Sequence, residues 1–558
     1  MSLALVHSRA RAGVLAPPVR VEVHLSGGLP ATHIVGLPEA AVRESRDRVR
    51  AAILCAQYAF PARRITINLA PADLPKEGGR FDLPIALGIL AAAGQLDPQA
   101  LDDYEFLGEL ALTGELRPVD GVLPAALAAA QAGRTLIVPA GNGAEAALAQ
   151  HVQAFTARTL LDVCAQLNGA KSLPAAAALP AAATPFPDLS DVRGQAQARR
   201  ALEIAAAGHH HLLLIGSPGC GKTLLASRLP GILPDASEAE ALESAAIASV
   251  SGRGLDPARW RQRPYRAPHH TASAVSLVGG GTQPRPGEIS LAHHGVLFLD
   301  ELPEWNRHAL EVLREPLESG QVTVSRAARS AEFPARFQLI AAMNPCPCGW
   351  AGDPSGRCRC TADSVRRYRA RISGPLLDRI DLHVEVPRLP SQALRADAPT
   401  GESSAAVRAR VEQARQRQLT RAGRPNGQLG HGETLRDCRL QPRDEALLEH
   451  AIDRLRLSAR SLHRIVRVAR TIADLDGSEA IATPHLTEAI SYGRSWIAAN
   501  RQRCGRGLWR LAAMRCARRA SVTTTSGRAF PRCSHLPRMP QPDVDVTNSV
   551  SKALQRRA

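Results

Sequence analysis

Aromatic residues are scarce in this chain of 558 residues, since Phe, Trp and Tyr together make up only 3% of it. No apolar run approaches the roughly 20 residues that a helix needs to cross a bilayer. The N-terminus also lacks the basic-then-apolar order of a signal peptide. We therefore expect a cytoplasmic protein without membrane contact, whose eleven cysteines are thiols or metal ligands rather than disulfides.

The net charge of +17 is concentrated at the C-terminal end. Residues 501–558 contain thirteen Lys/Arg and two Asp/Glu, a net charge of +11, which leaves +6 for the rest of the chain. A mildly basic body is weak evidence for nucleic-acid binding. The tail is rich in Ser, Thr, Pro and Arg, which is typical of disorder, and a nucleic-acid-binding arm is the alternative.

One glycine-rich stretch fits the P-loop pattern G-x-x-x-x-G-K-[ST]. An apolar run before it predicts a buried strand, and the residues after it predict a helix, which is the context that the motif needs. Backbone N–H groups of the loop would surround phosphates, Lys222 would reach the β- and γ-phosphates, and the Thr223 hydroxyl would bind Mg²⁺. The loop consists of Gly216, Ser217, Pro218, Gly219, Cys220, Gly221, Lys222 and Thr223.

Two further apolar strands end in polar side chains. Residues 296–299 precede Asp300 and Glu301, and residues 337–343 precede Asn344. Asp300 would hold Mg²⁺ together with Thr223, and Glu301 would polarise the attacking water. The Asn344 amide could orient the same water. The chain is therefore predicted to bind and hydrolyse a nucleoside triphosphate with Mg²⁺.

Composition shifts along the chain predict five parts. The first alternates β-like runs with alanine-rich runs, such as 124–132 and 144–154, that predict helices. The fourth contains helical spacing over 458–476 and 483–491, with Ser or Thr-Pro at the start. The parts are an α/β domain over 1–170, a linker rich in Ala and Pro over 171–187, the nucleotide-binding core over 188–387, a mostly helical segment over 388–500 and the tail over 501–558.

Four cysteines lie within fifteen residues in the pattern C-x-C-x₉-C-x-C. Four thiolates can enclose a tetrahedral Zn²⁺, and a zinc with all four positions filled would be structural. Free thiols and a redox disulfide are the alternatives. The cysteines are Cys346, Cys348, Cys358 and Cys360.

The order of these parts resembles a AAA+ P-loop ATPase core with a helical lid, of the helix-2-insert and presensor-hairpin group. The expected hairpin covers residues 321–326 and 333–337, with Arg326 and Arg329 near its tip. More narrowly, the chain resembles the ComM/YifB family of magnesium-chelatase-like AAA+ ATPases over roughly residues 1–495. The matching segments are residues 34–39, 71–86, 267–271, 344–349 and 373–381.

The resemblance implies roles for single residues around ATP. Asn344 matches sensor 1, and Arg379 matches the arginine finger, which acts on ATP bound to the neighbouring subunit. Arg460 matches the sensor-2 arginine, with Arg464 as a second candidate. An arginine finger that acts on a neighbour implies a ring of subunits, usually a hexamer in this group.

The first domain resembles the Lon protease domain, whose catalytic dyad is a serine and a lysine. Arg80 stands where the serine is expected, and Leu123 stands where the lysine is expected. Neither side chain can perform that chemistry, so the domain is predicted to lack peptidase activity. Lys76 and Arg80 suggest a phosphate-contacting face, and a purely structural Arg80 is the alternative.

The resemblance implies an ATP-dependent, hexameric DNA motor that migrates branches of recombination intermediates during natural transformation. Single-stranded or branched DNA would pass a pore lined by the hairpin and by residues 269–273, and recombination proteins are further expected partners. The main alternative is a AAA+ remodeller or chelatase-like motor that acts on protein partners with the same ATP residues. An ATP-dependent protease is the third option, against which the missing serine and lysine argue.

Overall fold

A computed structural model describes residues 2–180, 185–281, 284–326, 329–390, 401–455 and 458–493. The basic tail over 501–558, with its expected disorder, lies outside the described residues. Within the described ranges, the helices lack the combination of length and apolar character that crossing a membrane requires.

The N-terminal part consists of short strands and helices between residues 3 and 167. Its strands are β1 (Leu3–Arg9), β2 (Pro18–Ser26), β3 (Ala31–Val35), β4 (Arg64–Ala70), β5 (Tyr104–Phe106), β6 (Glu109–Leu110), β7 (Leu116–Arg117), β8 (Thr135–Pro139) and β9 (Ala154–Ala157). Its helices are α1 (Ala40–Arg43), α2 (Ser45–Cys55), α3 (Asp82–Ala92), α4 (Val122–Gln131), α5 (Gly143–Ala146) and α6 (Leu160–Leu167).

A mixed seven-stranded sheet in the order β3-β4-β2-β1-β5-β8-β9 organises this part. The alternating burial along β2 follows the two-residue period of a strand, with its valines turned to the core. Helix α3 is buried along its whole length, which explains why its sequence is apolar on every side. It lies so close to the sheet that a side chain at Gly88 would come within 2.6 Å of Val23 Cγ2.

One helix predicted in this part is wrong over most of its length. Helix α4 agrees with the alanine-rich run at 124–132. The run at 144–154, in contrast, contributes only the single turn α5, continues as turns and bends, and reaches strand β9 only at its last residue. The helix propensity of alanine is a weak local preference, and the tertiary fold overrides it in this run.

The central part contains the P-loop. Its strands are β10 (Leu212–Ile215), β11 (Tyr265–Arg266), β12 (Gly279–Gly280), β13 (Arg285–Pro286), β14 (Val296–Leu299), β15 (Gln321–Arg326), β16 (Arg329–Pro334), β17 (Gln338–Met343) and β18 (Leu382–Glu385). Its helices are α7 (Ala196–Gly208), α8 (Lys222–Ile232), α9 (Glu238–Val250), α10 (Ala274–Val278), α11 (Glu288–Leu291), α12 (Arg307–Glu311), α13 (Pro316–Ser319), α14 (Ala362–Arg369) and α15 (Gly374–Leu377).

Five of these strands form a parallel sheet in the order β11-β14-β17-β10-β18. The strands predicted before the P-loop, before Asp300 and before Asn344 are β10, β14 and β17. Alternate residues of each strand face two separate hydrophobic clusters, so the sheet is covered on both faces, as parallel sheets require.

This part also contains two antiparallel hairpins. Strands β15 and β16 pair antiparallel, with Arg326 opposite Arg329 at the tip, as predicted. The second strand begins at Arg329 rather than at residue 333, so its predicted start was four residues too late. The other hairpin, β12–β13, interrupts the connection from β11 to β14 between α10 and α11.

Helices dominate the C-terminal part of the described chain. They are α16 (Ser404–Ala422), α17 (His431–Asp437), α18 (Pro442–Leu455), α19 (Ala459–Leu475) and α20 (Thr483–Tyr492). The two predicted helices correspond to α19 and α20. Ser458 caps α19 because its hydroxyl accepts the backbone N–H of Ser461, and α20 carries a proline in its first turn.

The N-terminal and central parts contact each other through α4 and α9. Ala245 of α9 belongs to the same hydrophobic cluster as Val122 and Leu123 of α4. The N–H of Gly121 donates to the carbonyl of Ser249 at 3.0 Å. The first domain is thus attached to the segment that joins the P-loop helix to strand β11.

Candidate functional site

The P-loop, the acidic pair and Asn344 meet at one edge of the parallel sheet. Ile215 at the end of β10 lies opposite Met343 at the end of β17, and Leu299 at the end of β14 lies opposite Ala341. The residues that follow these strands therefore emerge side by side at the carboxyl edge, where ligands bind in open α/β sheets.

The P-loop backbone has the conformation that its glycines permit. Gly219 and Gly221 have φ angles of 74° and 93°, in the left-handed region that other residues avoid. Cys220 is 6% exposed and packs in the hydrophobic core, and burial raises the pKa of its thiol. Both features disfavour the reactive thiolate, so Cys220 is a small packing residue of the loop rather than a nucleophile.

Lys222 and Asn344 are neighbours in this site. The Lys222 ammonium donates to the carbonyls of Gly216 at 2.8 Å and Ser217 at 3.1 Å, and to Asn344 Oδ1 at 3.0 Å. A cavity of about 360 Å³ opens beside them. Its lining residues are Pro218, Gly219, Gly221, Lys222, Thr223, Leu224, Asp300, Glu301, Met343 and Asn344.

The two predicted magnesium ligands are in contact. The Thr223 hydroxyl donates to Asp300 Oδ2 at 2.6 Å. A hydroxyl and a carboxylate are oxygen donors, which is the ligand type that Mg²⁺ prefers, so this pair fits the ion that the P-loop implies. The indole N–H of Trp305 donates to the carbonyl of Asp300 at 2.9 Å and fixes the backbone at this point.

Glu301 has an unusual backbone conformation. Its φ and ψ are 50° and 47°, the left-handed region, which costs a residue with a Cβ roughly 1–2 kcal/mol. Its N–H donates to Asp300 Oδ1 at 2.8 Å, and its side chain is about half exposed. Strained backbone of this kind concentrates at functional sites, which supports a chemical role for Glu301.

His270, which the resemblance places in a pore-lining segment, contacts this carboxylate. Its Nδ1 lies 3.2 Å from Glu301 Oε2. Strand β11 pairs with β14 so that Arg266 is opposite Leu297, and the chain that leaves β11 therefore passes the end of β14. A polar residue a few positions after a strand adjacent to the acidic strand is the signal that could have identified it.

Arg379 lies at the opposite edge of the sheet from the P-loop. It precedes β18, which runs parallel to β10 with Leu382 opposite Leu212 at the starts of both strands. Arg379 and the P-loop are therefore separated, along the direction of the strands, by the length of four strand residues, about 13 Å. Its guanidinium pairs with Glu318 and donates to the carbonyl of Pro375 at 2.5 Å.

The two sensor-2 candidates have different environments. Arg460 is 65% exposed and pairs with Glu318 at 3.4 Å, the same carboxylate that binds Arg379. Arg464 is buried and donates to the carbonyls of Leu377, Asp378 and Ile380. Arg464 therefore holds α19 against the chain before β18, and only Arg460 is free enough to reach a ligand.

Lys76 and Arg80 do not form an exposed phosphate-contacting face, so that prediction is wrong. Lys76 is fully buried with its ammonium on the carbonyl of Pro71. Arg80 is 5% exposed and donates to the carbonyls of Arg9 and Asp120. Burial, with the nearby Arg11, lowers the pKa of Arg80 to about 10. Its structural alternative is correct, because its donors are used inside the domain.

The four predicted cysteine ligands come together. Their sulfurs all lie within 4.8 Å of one another, and the three separations among Cys346, Cys348 and Cys358 are 3.3, 3.8 and 3.7 Å. A tetrahedral zinc with bonds of about 2.3 Å holds sulfurs about 3.8 Å apart. The four are free thiols in the structure, and their geometry fits zinc.

A second group of metal-binding side chains is better explained by hydrogen bonds. Glu243 lies 2.9 Å from His293 Nε2 and 2.8 Å from His294 Nε2. However, His293 Nδ1 accepts the backbone N–H of Arg336, so its Nε2 carries the hydrogen and has no free electron pair for a metal. This cluster ties α9 to the start of β14.

The strand order, the P-loop and the acidic pair at the carboxyl edge are those of a AAA+ ATPase. Comparison with known families agrees: profiles described as Subunit ChlI of Mg-chelatase, Magnesium chelatase, subunit ChlI, and Magnesium chelatase, subunit ChlI C-terminal match residues 21–142, 188–394 and 401–493.

Individual relatives place the chain more narrowly. The competence protein ComM of Haemophilus influenzae is 54% identical over 499 residues, which are 88% of this chain and 97% of that protein. YifB of Escherichia coli is 53% identical over 494 residues, with the same shares. An MCM-type protein of Methanocaldococcus jannaschii is 26% identical over 172 residues, 31% of this chain and 19% of its own. The chain belongs to the ComM/YifB family of magnesium-chelatase-like AAA+ ATPases.

Proposed function

We propose that this protein is an ATP-driven DNA motor that works as a ring, expected to be a hexamer, and migrates branches of recombination intermediates in the cytoplasm. The observation that carries the proposal is the position of Arg379 at the sheet edge opposite the P-loop. An arginine there is too far from the P-loop to contact the nucleotide of its own subunit. The ATP that it contacts must therefore be bound to a neighbouring subunit.

The residues at the carboxyl edge have complementary tasks in ATP hydrolysis. Lys222 neutralises the β- and γ-phosphates, and its bond to Asn344 Oδ1 keeps that amide beside the γ-phosphate position. Thr223 and Asp300 hold Mg²⁺, which neutralises charge on the phosphates when it is bound. Glu301 accepts a proton from the attacking water.

Arg379 and Arg460 act together in this proposal. Both bind Glu318, so one carboxylate keeps two guanidinium groups at the same surface. A neighbouring subunit that presents its γ-phosphate there would replace Glu318 as their partner. Arginine matches phosphate geometry through its planar array of donors, and a pair of arginines would stabilise the charge that develops during phosphoryl transfer.

The DNA-contacting elements in this proposal are the two hairpins. Arg326 and Arg329 flank the tip of β15–β16, where phosphate contacts would be independent of sequence. Hairpin β12–β13 is packed near β15, so both could line one pore. The similarity to a competence protein and the partial similarity to an MCM-type protein support DNA as the substrate.

A motor that acts on protein partners is the second candidate. It is favoured by the family profiles, whose descriptions name magnesium chelatase.

We also propose that residues 1–170 are a Lon-like domain without peptidase activity, since buried Arg80 and Leu123 occupy the positions expected for the dyad.

Turnover measurements with DNA test the proposal. ATP hydrolysis is expected to rise when forked or single-stranded DNA is added, and a labelled three-strand junction is expected to be resolved only with ATP. Replacing Arg326 and Arg329 by Ala should weaken DNA binding. It should also reduce the slope of log K against log salt concentration by about two, because two phosphate contacts are lost. Stimulation by a protein partner and not by DNA would favour the second candidate.

Metal analysis tests the cysteine site. The purified protein is expected to contain one zinc per chain, and Cys358→Ser should remove most of it and lower the melting temperature, because a structural zinc contributes directly to folding. Cys55→Ser is the matched control, since Cys55 is an exposed thiol outside the cluster. Metal-free protein with unchanged stability would contradict the zinc site.

A further inference from the structure

The loop that carries the four cysteines, residues 346–360, begins directly beside the nucleotide site. Asn344 lines the nucleotide cavity, and it is followed by Pro345 and then by Cys346. The proline ring restricts the backbone torsion φ, and the carbonyl of Pro345 accepts a hydrogen bond from the Arg369 guanidinium at 3.0 Å. The first cysteine and the cavity amide therefore belong to one short segment whose backbone is held from outside.

A tight turn follows Cys346 and is built around that residue. The N–H of Gly349 donates to the carbonyl of Cys346 at 2.9 Å, and the N–H of Ala351 donates to its sulfur at 3.2 Å. Gly349 has a φ of 82°, in the left-handed region that favours glycine. The position of Gly349 therefore depends on where the Cys346 sulfur is held.

Gly349 lies directly against the P-loop. A Cβ atom at position 349 would come within 2.5 Å of Pro218 Cδ and 2.6 Å of Pro218 Cγ. Pro218 is the third residue of the P-loop and lines the nucleotide cavity. Close-packed interiors do not accommodate an added methyl group at such distances without displacement of a neighbour. The cysteine loop thus supports the P-loop through a contact that only glycine allows.

Trp350 fixes the same turn on a second side. The guanidinium carbons of Arg357 and Arg388 lie 5.1 Å and 5.8 Å from the centroid of the Trp350 ring, within the range of cation–π contacts. Arg357 precedes the third cysteine, and Arg388 follows β18, the strand that pairs with β10. The turn is therefore tied both to the far end of its own loop and to the sheet beside the P-loop.

We propose that Gly349 is a positioning residue that holds the P-loop in its nucleotide-binding shape, and that it does so only while the four cysteine sulfurs are held together. This inference rests on the ATP site and the zinc site of the proposed function. With zinc bound, the Cys346 sulfur has a fixed position, and the turn keeps Gly349 on Pro218. Without the ion the sulfurs are not joined to one another, so the turn can move away and the P-loop loses affinity for ATP.

Titration with a fluorescent ATP analogue tests the contact. Gly349→Ala is expected to lower the affinity about tenfold or more, because the added methyl group displaces Pro218 and the loop around the phosphates. The zinc content should remain that of the parent, since the four sulfurs are unchanged.

Gly352→Ala is the matched control for this substitution. Gly352 lies in the same loop with a φ of 84°, and a Cβ atom there would meet no atom within 4 Å. It carries the same backbone strain without the contact, so its affinity should be that of the parent. The two nucleotide-free variants should also melt at the same temperature. Equal affinities of the two variants would overturn the positioning role.

A second pair of variants isolates the proline ring. In a Pro218→Ala background the ring atoms that Gly349→Ala would meet are absent. Adding Gly349→Ala to that background should therefore lower the affinity much less than adding it to the parent does. An equal loss in both backgrounds would refute the contact as the cause.

Removal of the metal tests the second half of the inference. A chelator that strips zinc from the parent is expected to lower the affinity for the analogue to that of Gly349→Ala, and added Zn²⁺ should restore it. Cys358→Ser should lose zinc and affinity together, whereas Cys55→Ser, at an exposed thiol outside the cluster, should keep both. Binding is measured well below the melting transition of the metal-free protein, so that lost affinity is not lost fold. Unchanged affinity after zinc removal would refute the metal dependence.

Failure of this inference is distinct from failure of the proposed function, because these titrations contain no DNA. A protein that binds ATP but whose turnover ignores DNA would refute the DNA motor alone. A protein that DNA stimulates, but whose Gly349→Ala and Gly352→Ala variants bind ATP equally, would refute the positioning role alone.

Discussion

Replacing Glu301 by Gln is expected to leave ATP binding intact and to reduce ATP turnover by a factor on the order of 10²–10⁴, the usual contribution of a general base. The amide has the same shape as the carboxylate but cannot accept a proton from water. Thr223, Asp300 and Lys222 remain in place to bind the nucleotide. Equilibrium binding of a fluorescent ATP analogue and steady-state phosphate release measure the two effects.

Glu304 provides a matched control for this substitution. It lies one turn beyond Glu301, and its carboxylate pairs with Arg371 at the surface without lining the nucleotide cavity. Glu304→Gln should therefore change turnover little. If Glu301→Gln hydrolysed ATP as fast as the parent, another group would have to activate the water.

Replacing Arg379 by Ala is expected to lower ATP turnover by a factor on the order of 10³, which is within the range for arginine fingers. In the proposed ring, Arg379, which lies at the edge of the sheet opposite the P-loop, serves the nucleotide of a neighbouring subunit. A mixture of Arg379→Ala with Lys222→Ala subunits should therefore regain activity, since some interfaces combine an intact P-loop with an intact Arg379.

Arg366 is a suitable control for Arg379. Its guanidinium is exposed and pairs with Asp363 within the same helix, and exposed pairs of this kind contribute little to stability. Arg366→Ala should retain turnover. A mixture of the two inactive variants that remains inactive, although mixed rings form, would contradict action on a neighbouring subunit.

The elements that were predicted correctly have strong local signals. The short apolar strand before the P-loop, the glycines within it and the helix after it are adjacent in sequence, and the structure contains them as β10, the loop and α8. The alanine-rich run at 144–154 was mispredicted because composition reports only local propensity. Whether such a run continues as a helix or ends after one turn depends on its packing against residues elsewhere in the chain.

Burial explains the second kind of difference. Arginine is common at phosphate contacts, which is why the sequence suggests such a role for Arg80. In the structure its donors are used by carbonyls inside the N-terminal domain. The sequence alone does not show whether an arginine lies on the surface or within a core. Only the surrounding fold distinguishes these two environments.

The sequence by itself determined the parts of this protein whose members lie within one strand, loop or turn: the P-loop, the acidic pair and the four cysteines. Such groups are brought together by local geometry, which motif spacing encodes directly. Only the tertiary structure decided that His270 meets Glu301 and that Arg379 lies across the sheet from the P-loop. These placements depend on strand order and register, which result from pairing and core packing between segments far apart in the chain.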